Sequence, residues 1–474
     1  MVRVEASEAR RVATSTAVQA AGKVTVLLIG AASIATLTRY LGPAGYGSVV
    51  LAVTFVQLFS VLADVGLFTI VVREISKAPE RTRELVGNAM AIRLVLSFVA
   101  IAASSGASLL LPYTPQVRVA VLIAGVPLLL GMLNTSFVAI FQSRLQMGRA
   151  AIGDVAGRAA AFAAVVVVVL LDFGFYAVVA TAAVGNLVTL TITASFARRF
   201  GPIRLRRDRA IWRELLVASI PLGLALALNE LYFRADNLII SLFRPIEEVG
   251  MYALAFRVIE LGSTIPVLLI TSVFPLLSRY VVEDEPRARR TIQAGSDFFV
   301  TVGAPIAIVG PVLAPSLIEL VAGADFGGAV VPLQILLPSA ALALINGLFG
   351  YALIAKGKQA SALWLNGVGL SVNIGLNLAL VPSFGIDAAA ATAVVSELVI
   401  LAGSFFLMRR FFAFFPSLGV GAKALAAAIA TAAALLPFRE ATVLLLAPLG
   451  AALYGSVLYA VGGVDRALLQ RLGR

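Results

Sequence analysis

Long apolar stretches follow one another along almost the whole chain, and only short charged connectors separate them. Each stretch reaches the length of about 20 residues that an α-helix needs to cross the hydrocarbon core of a bilayer. Strands of a membrane barrel alternate in polarity over about ten residues, whereas residues 163–171 and 424–436 are continuously apolar. The pattern therefore predicts an all-α polytopic membrane protein.

Composition supports this fold class and limits the chemistry of the chain. Hydrophobic residues make up 60% and charged residues 13%, against about 45–50% and about 25% in soluble globular proteins. Histidine and cysteine are absent, which excludes disulfides, Cys/His metal sites, Ser-His-Asp triads and histidine proton relays. We expect no cofactor, no metal and no enzymatic reaction.

A window of span length locates about 14 candidate transmembrane helices. They cover residues 15–38, 48–71, 86–111, 118–141, 150–171, 175–197, 214–242, 248–277, 292–320, 329–354, 359–381, 386–408, 419–437 and 442–462. The longest connector runs from Arg198 to Arg213. No connector is therefore long enough to hold a soluble domain.

Lysine and arginine concentrate in every second connector. The intervening connectors contain only Arg39, Arg118, Arg244 and Arg439. Basic residues in short loops mark the cytoplasmic side, so we predict a protein of the cytoplasmic membrane with an even number of spans and both termini in the cytoplasm. The net charge of +12 is spread over many connectors rather than gathered in one groove, which argues against nucleic acid as a partner.

Two segments of the chain repeat each other. Phe173–Leu190 and Phe384–Leu401 match at ten of eighteen positions, and both are followed by Arg-Arg-Phe. The repeating unit holds six spans, so its two copies share one orientation and place the substrate site near the membrane midplane between the halves. We predict an N-lobe over residues 1–210, a C-lobe over residues 211–416, and two extra helices with a cytoplasmic C-terminus over residues 417–474.

Two hairpins of the chain resemble those of a known family. Leu37–Lys77, with the turn LGPAGYG, resembles the first hairpin of Wzx-type bacterial polysaccharide flippases, and Tyr232–Leu261 resembles the corresponding hairpin of their second half. These proteins belong to the multidrug/oligosaccharidyl-lipid/polysaccharide (MOP) exporter superfamily. The resemblance implies a MATE-like bundle of two lobes, V-shaped, whose central cavity opens alternately to the two sides of the membrane. It implies as substrate a polyprenyl-(pyro)phosphate-linked oligosaccharide that moves from the inner to the outer leaflet.

Charged residues within the predicted spans are the candidate functional groups. A charge near the bilayer centre costs about 2.5–3.5 kcal/mol, so we expect these side chains to face the bundle interior or a water-filled cavity. Arginine forks fit phosphate oxygens, and the basic residues are therefore predicted to bind an anionic headgroup. These residues are Lys23, Arg93, Arg158, Arg234 and Arg257. The acidic residues, predicted to be coupling groups or charge partners, are Asp64, Asp154, Glu230, Asp236 and Glu260.

Two interpretations of these charges are compatible with the sequence. Acid–base pairs spaced three or four residues apart lie on one helix face, where they either satisfy each other or present an arginine to a ligand. The pairs are Asp154–Arg158, Glu230–Arg234 and Arg257–Glu260. Asp64 is either a carboxylate that couples transport to a proton or cation, or the partner of Lys23 or Arg93.

Other functions are compatible with the same span pattern. A lipid II flippase and a multidrug or cation antiporter belong to the same superfamily, although basic residues within the spans disfavour a cationic substrate. A membrane polysaccharide polymerase or ligase would need a long outer loop, and the predicted outer connectors are all short. The expected partners are membrane lipids and other polysaccharide assembly proteins. The sequence has no ATP-binding loop, so we expect an ion gradient, the membrane potential or consumption of the product to supply the energy.

Overall fold

The computed structural model describes residues 2–417 and 419–463, and the side chains of residues 2–21, 23, 24, 225, 229, 233, 261–269, 271 and 272 lie outside that description. The described chain is built from helices that we number α1 to α14. Their bounds are α1 Val2–Asp64, α2 Leu67–Lys77, α3 Thr82–Leu110, α4 Pro115–Ser143, α5 Met147–Leu170, α6 Phe175–Ala197, α7 Arg209–Phe243, α8 Ile246–Glu283, α9 Glu285–Ile308, α10 Gly310–Ala322, α11 Val330–Ala355, α12 Gln359–Phe412, α13 Gly419–Leu435 and α14 Val443–Ala460. No strand occurs among the described residues, so the all-α fold class is confirmed.

Length and hydropathy identify 10 membrane-spanning helices in the described part of the chain. The number rises to 11 if α9 and α10, which meet at a bend of 63°, form one broken span. The polytopic character of the protein is thereby confirmed, but the predicted number of about 14 spans is not.

Two of the helices are much longer than a bilayer is thick. α1 has 63 residues and α12 has 54, which correspond to about 95 Å and about 80 Å of helix, against a hydrocarbon core of about 30 Å. Each bends at a glycine with a positive φ angle, Gly42 at 62° and Gly385 at 68°. Glycine adopts this conformation at no steric cost, so each long helix consists of two arms that meet at its glycine.

The glycine that bends α12 has a counterpart in the first repeat. Gly174, which precedes α6, has φ and ψ angles of 81° and −174°. Gly385 has angles of 68° and −152°, and the two glycines occupy the same position in the repeated segments. The similar backbone conformation supports the duplication that the sequence indicates.

The chain divides into two compact units, Met1–Leu242 and Phe243–Arg474. We call them unit 1 and unit 2. The first unit includes α7 almost to its end, whereas the predicted lobes divide before α7 at residue 210. Ile211 and Leu215 at the start of α7 belong to the apolar core that α2, α3 and α4 form in unit 1. The lobe boundary at residue 210 therefore stays a prediction from the sequence repeat. The boundary between the two compact units lies after Leu242 instead.

Unit 2 has two apolar cores. One joins α8, α9, α11 and α12 around residues such as Phe349. The other joins α9 to α13 and α14 through the small residues Ala424 and Ala428. The Tyr454 hydroxyl on α14 also donates a hydrogen bond of 2.7 Å to the carbonyl oxygen of Thr301 on α9. The two helices outside the repeat thus pack on α9, a helix of the second half.

Glycines bring α5 and α6 into close backbone contact within unit 1. A Cβ atom added to Gly157 would lie 2.7 Å from the carbonyl oxygen of Gly185, and one added to Gly185 would lie 2.7 Å from the Cβ atom of Ala161. Small residues permit such an approach between membrane helices, where van der Waals packing drives association. The α5–α6 contact therefore depends on the absence of side chains at both glycines.

We expect Gly157→Ala to destabilise unit 1, because the new methyl group would overlap the Thr189 hydroxyl and lie 2.7 Å from the backbone carbonyl oxygen of Gly185. Overpacking of this kind costs about 1–3 kcal/mol. The thermal midpoint of the detergent-purified protein, measured by fluorescence-detected size-exclusion chromatography, should fall by several degrees. Gly131→Ala is the matched control, since nothing lies within 4 Å of a Cβ atom at that position. An equal fall in both variants would contradict the packing argument.

Candidate functional site

Arg93 on α3 is the charged residue that the described part of the chain buries completely, with no exposed side-chain surface. Its Nη2 and Nε atoms donate hydrogen bonds of 2.7 Å and 3.1 Å to Asp64 Oδ1. Its Nη1 atom donates a hydrogen bond of 2.7 Å to the hydroxyl of Ser136 on α4. A carboxylate and a hydroxyl thus offset the cost of removing the guanidinium from water. Of the partners that the sequence left open for Asp64, the structure shows Arg93.

A break between α1 and α2 positions Asp64. α1 ends at Asp64, Val65 and Gly66 both have positive φ angles of 47° and 78°, and α2 begins at Leu67. A β-branched residue in the left-handed region is strained. Asp64 Oδ2 accepts a long hydrogen bond of 3.4 Å from the backbone N–H of Phe68. The carboxylate therefore lies at the N-terminus of α2, where the helix dipole favours a negative charge.

This helix break lies against α7 in unit 1. A Cβ atom on Gly66 would lie 3.0 Å from the backbone nitrogen of Gly223, and one on Gly223 would lie 2.7 Å from the carbonyl oxygen of Val65. α7 also contains Pro221 within the helix, which removes a backbone hydrogen bond in the same turn. Two irregular stretches of backbone thus contact each other, and both sides of the contact require glycine.

A second charged pair lies on α5. Arg158 Nε is 3.5 Å from Asp154 Oδ1, and the two side chains are 56% and 53% exposed. α5 is long and apolar enough to span a membrane. Charges within spans face the bundle interior or a water-filled cavity, because exposure to lipid is costly. About half of each side chain is uncovered by the described protein, and the cost of a charge in hydrocarbon favours water at this surface.

Two further pairs have the predicted spacing. On α7, Arg234 Nε donates a hydrogen bond of 3.0 Å to Glu230 Oε1, and both side chains are about one quarter exposed. On α8 in unit 2, Arg257 Nη1 donates a hydrogen bond of 2.5 Å to Glu260 Oε2, and both side chains are about two fifths exposed. Each arginine thus has a carboxylate one helical turn away and keeps part of its guanidinium uncovered.

Two predicted site residues are less well defined. Asp236 on α7 is partly buried. Lys23 lies on α1, but its side chain is outside the described residues. The structure therefore brings Asp64 and Arg93 together from separate helices, and it forms the other three pairs within single helices.

Sequence reasoning missed three features of the structure. It did not identify Ser136 as a partner of Arg93, because serines are frequent in spans and nothing distinguishes this one. It did not identify the helix break, although the sequence DVG at Asp64–Gly66 within an apolar run is a usable signal. It also did not identify the pair on α11 and α12, in which Asn346 Nδ2 donates a hydrogen bond of 2.6 Å to Glu397 Oε2.

A cavity of about 610 Å³ lies away from these charges, within unit 2. α10, the start of α11 and the turn Leu436–Glu440 line it, with Glu319 and Arg439 among its polar residues. None of the predicted site residues lines this cavity. It is therefore not part of the candidate site.

Comparison of the sequence with protein families shows which families the chain matches. The family described as polysaccharide biosynthesis protein matches residues 12–281, which is more than half of the chain. The family described as MatE matches residues 221–379. No match was found among curated protein sequences.

Comparison with solved structures shows which known proteins have a similar fold. The lipid II flippase MurJ in an inward closed conformation matches with a TM-score of 0.73 and 11% identity, over 94% of this chain and 97% of MurJ. An inward-facing multidrug resistance MATE family transporter of the MOP superfamily matches with a TM-score of 0.63 and 16% identity, over 84% and 98% of the two chains. A MOP superfamily transporter from Pyrococcus furiosus matches with a TM-score of 0.57 and 15% identity, over 85% and 95%. At these identities the likeness concerns the fold.

The family match and the shared fold agree with each other. Together they confirm the expected MOP superfamily, whereas the Wzx type stays a prediction. The chain therefore belongs to the polysaccharide biosynthesis protein family, and its two helical units have the fold of the MOP superfamily of membrane transporters.

Proposed function

We propose that this protein is an alternating-access flippase that moves a polyprenyl-(pyro)phosphate-linked oligosaccharide from the inner to the outer leaflet of the cytoplasmic membrane. The observation that carries the proposal is the set of arginine–carboxylate pairs on α5, α7 and α8. Their side chains keep between 25% and 56% of their surface uncovered on long apolar helices. Partly uncovered arginines within spans suit a wet cavity that accepts an anionic headgroup.

The headgroup-binding residues in this proposal are Arg158, Arg234 and Arg257. Before substrate enters, each arginine is balanced by the carboxylate on its own helix. An incoming phosphate offers oxygens to the uncovered N–H groups of the guanidinium, and such charge-assisted bonds are the stronger kind. The displaced carboxylates then gain a proton or a cation, which makes them the coupling groups. These carboxylates are Asp154, Glu230 and Glu260, with Asp236 as a neighbour on α7.

Arg93 has a different role in this proposal, because each of its three guanidinium nitrogens already donates a hydrogen bond within the protein and its surface is fully covered. Arg93 and Asp64 fix the break between α1 and α2 and do not contact the headgroup. Lys23 stays among the headgroup-binding residues on the evidence of the sequence alone.

Transport of this kind requires no covalent chemistry. The sugars and the phosphate enter the cavity while the polyprenyl chain stays in the lipid, and the two lobes rock to open the cavity on the opposite side. The protein lowers the cost of moving polar groups through hydrocarbon, where they would have no hydrogen-bond partners. An ion gradient, the membrane potential or consumption of the product supplies the energy.

A lipid II flippase is the second candidate. The fold similarity to MurJ, which extends over 94% of this chain, favours it. The substrate would again be an anionic polyprenyl headgroup, so the same arginines would bind it. A cation antiporter fits less well, because the arginine beside each carboxylate cancels the negative charge that a cationic substrate would need.

We expect Arg234→Ala and Arg257→Ala each to reduce transport about tenfold or more, since a hydrogen bond to a charged group contributes about 1.5–3 kcal/mol. Transport is measured in proteoliposomes as the fraction of a fluorescent polyprenyl-diphosphate oligosaccharide that a membrane-impermeant quencher reaches. Arg279→Ala is the matched control, because Arg279 also pairs with a carboxylate on α8 but is 68% exposed near the end of the helix. Unimpaired transport in both Arg234→Ala and Arg257→Ala would show that neither arginine belongs to the headgroup-binding site.

Deletion of the gene tests the direction of transport. We expect polyprenyl-linked glycans to accumulate on the cytoplasmic face of the membrane, because their synthesis continues there while export stops. A membrane-impermeant glycosidase is added to intact and to inverted vesicles. The vesicles in which it cleaves the glycans show on which face of the membrane the glycans accumulate. Accumulation on the outer face would instead indicate a polymerase or a ligase.

The structural role of Arg93 is tested by a double-mutant cycle. Arg93→Met leaves the Asp64 carboxylate, whose side chain is 21% exposed, without its guanidinium partner and should cost up to about 3–5 kcal/mol of stability. The double variant Asp64→Leu/Arg93→Met should recover much of that loss, since it removes both charges. The coupling free energy between Asp64 and Arg93 follows from the free energies of unfolding of four proteins: the parent, the two single variants and the double variant. Additive effects of the two changes would show that the pair does not act as a unit.

A further inference from the structure

The longest connector of unit 1 is fixed in place rather than loose. Residues 201–208, which we call the arginine strap, have no regular secondary structure; they lead into α7 and contact the start of α3. The backbone N–H of Arg206 donates a 3.2 Å hydrogen bond to the carbonyl oxygen of Gly87. The backbone N–H of Asp208 donates a 2.8 Å hydrogen bond to Asn88 Oδ1, and Arg83 Nε donates one of 3.1 Å to the carbonyl oxygen of Phe200.

The residues under the strap are suited to holding it. A Cβ atom at Gly87 would collide with the carbonyl oxygen of Arg204, so the strap lies directly on the backbone of α3. Asn88 is fully buried beneath it. Asp208 Oδ1 accepts hydrogen bonds from the backbone N–H groups of Ala210 and Ile211, which caps the start of α7. The backbone of the strap is thus held in one position on α3, and its side chains project from that position.

The strap and the first turns of α7 carry a concentrated positive charge. Five exposed arginines lie there: Arg204, Arg206, Arg207, Arg209 and Arg213. Among the described residues, none of the five has a carboxylate within the 4.0 Å of an ion pair. The acidic neighbours are engaged elsewhere, since Asp208 caps α7 and Glu214 lies 3.9 Å from Arg81. Residues 204–214 contain five arginines against the two acidic residues Asp208 and Glu214, so the segment keeps a net charge of +3.

Apolar and aromatic side chains accompany these arginines. Leu205 is 56% exposed in the middle of the strap. Trp212 packs partly on the core of unit 1, and the guanidinium of Arg207 lies 6.0 Å from its ring centroid. Tryptophan and exposed leucine beside arginine are typical of the membrane interface, where rings and stems enter the headgroup layer. This combination fits a lipid surface better than a soluble acidic partner.

We propose that the arginine strap is a binding surface for the phosphate headgroups of anionic phospholipids in the adjacent leaflet. A topology signal needs only the charges, whereas here the backbone that carries them is also held on α3 by hydrogen bonds to Gly87 and Asn88. Basic residues near an anionic membrane surface contribute a favourable electrostatic term that salt screens. The strap is separate from the charged pairs on the spans, so this surface does not depend on the identity of the transported substrate.

Tryptophan fluorescence gives a local test. The chain has two tryptophans, and Trp364 on α12 is 77% exposed, so Trp364→Phe leaves Trp212 as a reporter beside the strap. The full chain is reconstituted in phosphatidylcholine nanodiscs that contain a small fraction of dansyl-labelled phosphatidylglycerol or dansyl-labelled phosphatidylcholine. We expect energy transfer from Trp212 to favour the phosphatidylglycerol probe at low salt. In Arg204→Gln/Arg207→Gln the preference should fall about tenfold or more.

Two sets of variants control for charge and for folding. Arg204→Lys/Arg207→Lys keeps the charge and should keep the preference. Arg279→Gln/Arg289→Gln removes the same net charge from arginines that have carboxylate partners on their own helices, and it should leave the preference unchanged. All variants are compared with the parent by size-exclusion chromatography before reconstitution.

Three results would overturn the proposal. The first is equal energy transfer to the two probes in the parent. The second is an equal loss in the strap variant and in the Arg279→Gln/Arg289→Gln control, which would indicate an effect of bulk charge. The third is complete competition by millimolar inorganic phosphate at constant ionic strength, which would assign the surface to free phosphate and not to lipid.

Discussion

The cost of placing a charge in hydrocarbon is the constraint on which the rest of this structure depends. The protein meets it in two ways. Arg93 is enclosed by a carboxylate and a hydroxyl from two other helices and has no surface left. Arg158, Arg234 and Arg257 instead take a carboxylate from the next turn of their own helix and keep part of the guanidinium uncovered. In the proposed function, this difference in burial separates an arginine that supports the fold from arginines that bind the headgroup.

The enclosed arginine and the irregular backbone beside it form one arrangement. Within a membrane, backbone groups released by a helix break need partners from the protein. Asp64 lies at the break after α1, accepts a hydrogen bond from the start of α2 and neutralises Arg93 with its other oxygen. Gly66 and Gly223 allow α7 to cover the same place. The strain at Val65 is thus confined to a region where several contacts fix the chain.

Sequence reasoning succeeded where the determining interactions are local. The apolar runs, the repeat and the three pairs spaced by one helical turn all follow from short-range periodicity, and the structure contains them. The contact of Arg93 with Asp64 and Ser136 joins three helices, so spacing along the chain gives no signal for it. The predicted number of about 14 spans was not confirmed, because the count of 10 covers the described residues only and takes Thr25–Lys77 and Gln359–Phe412 as one span each. The unit boundary differs because Ile211 and Leu215 pack on helices that precede them.

The membership of α7 in unit 1 has a consequence for biogenesis. The ribosome makes the chain from the N-terminus at about 5–20 residues per second, so α2, α3 and α4 enter the membrane several seconds before Ile211, Leu215 and Gly223 are synthesised. Until then the apolar core of unit 1 is incomplete, and nothing covers the break at Val65 from the side of α7. Completion of the first unit therefore waits for a helix that the sequence repeat assigns to the second, which ties the assembly of one half to the synthesis of the other.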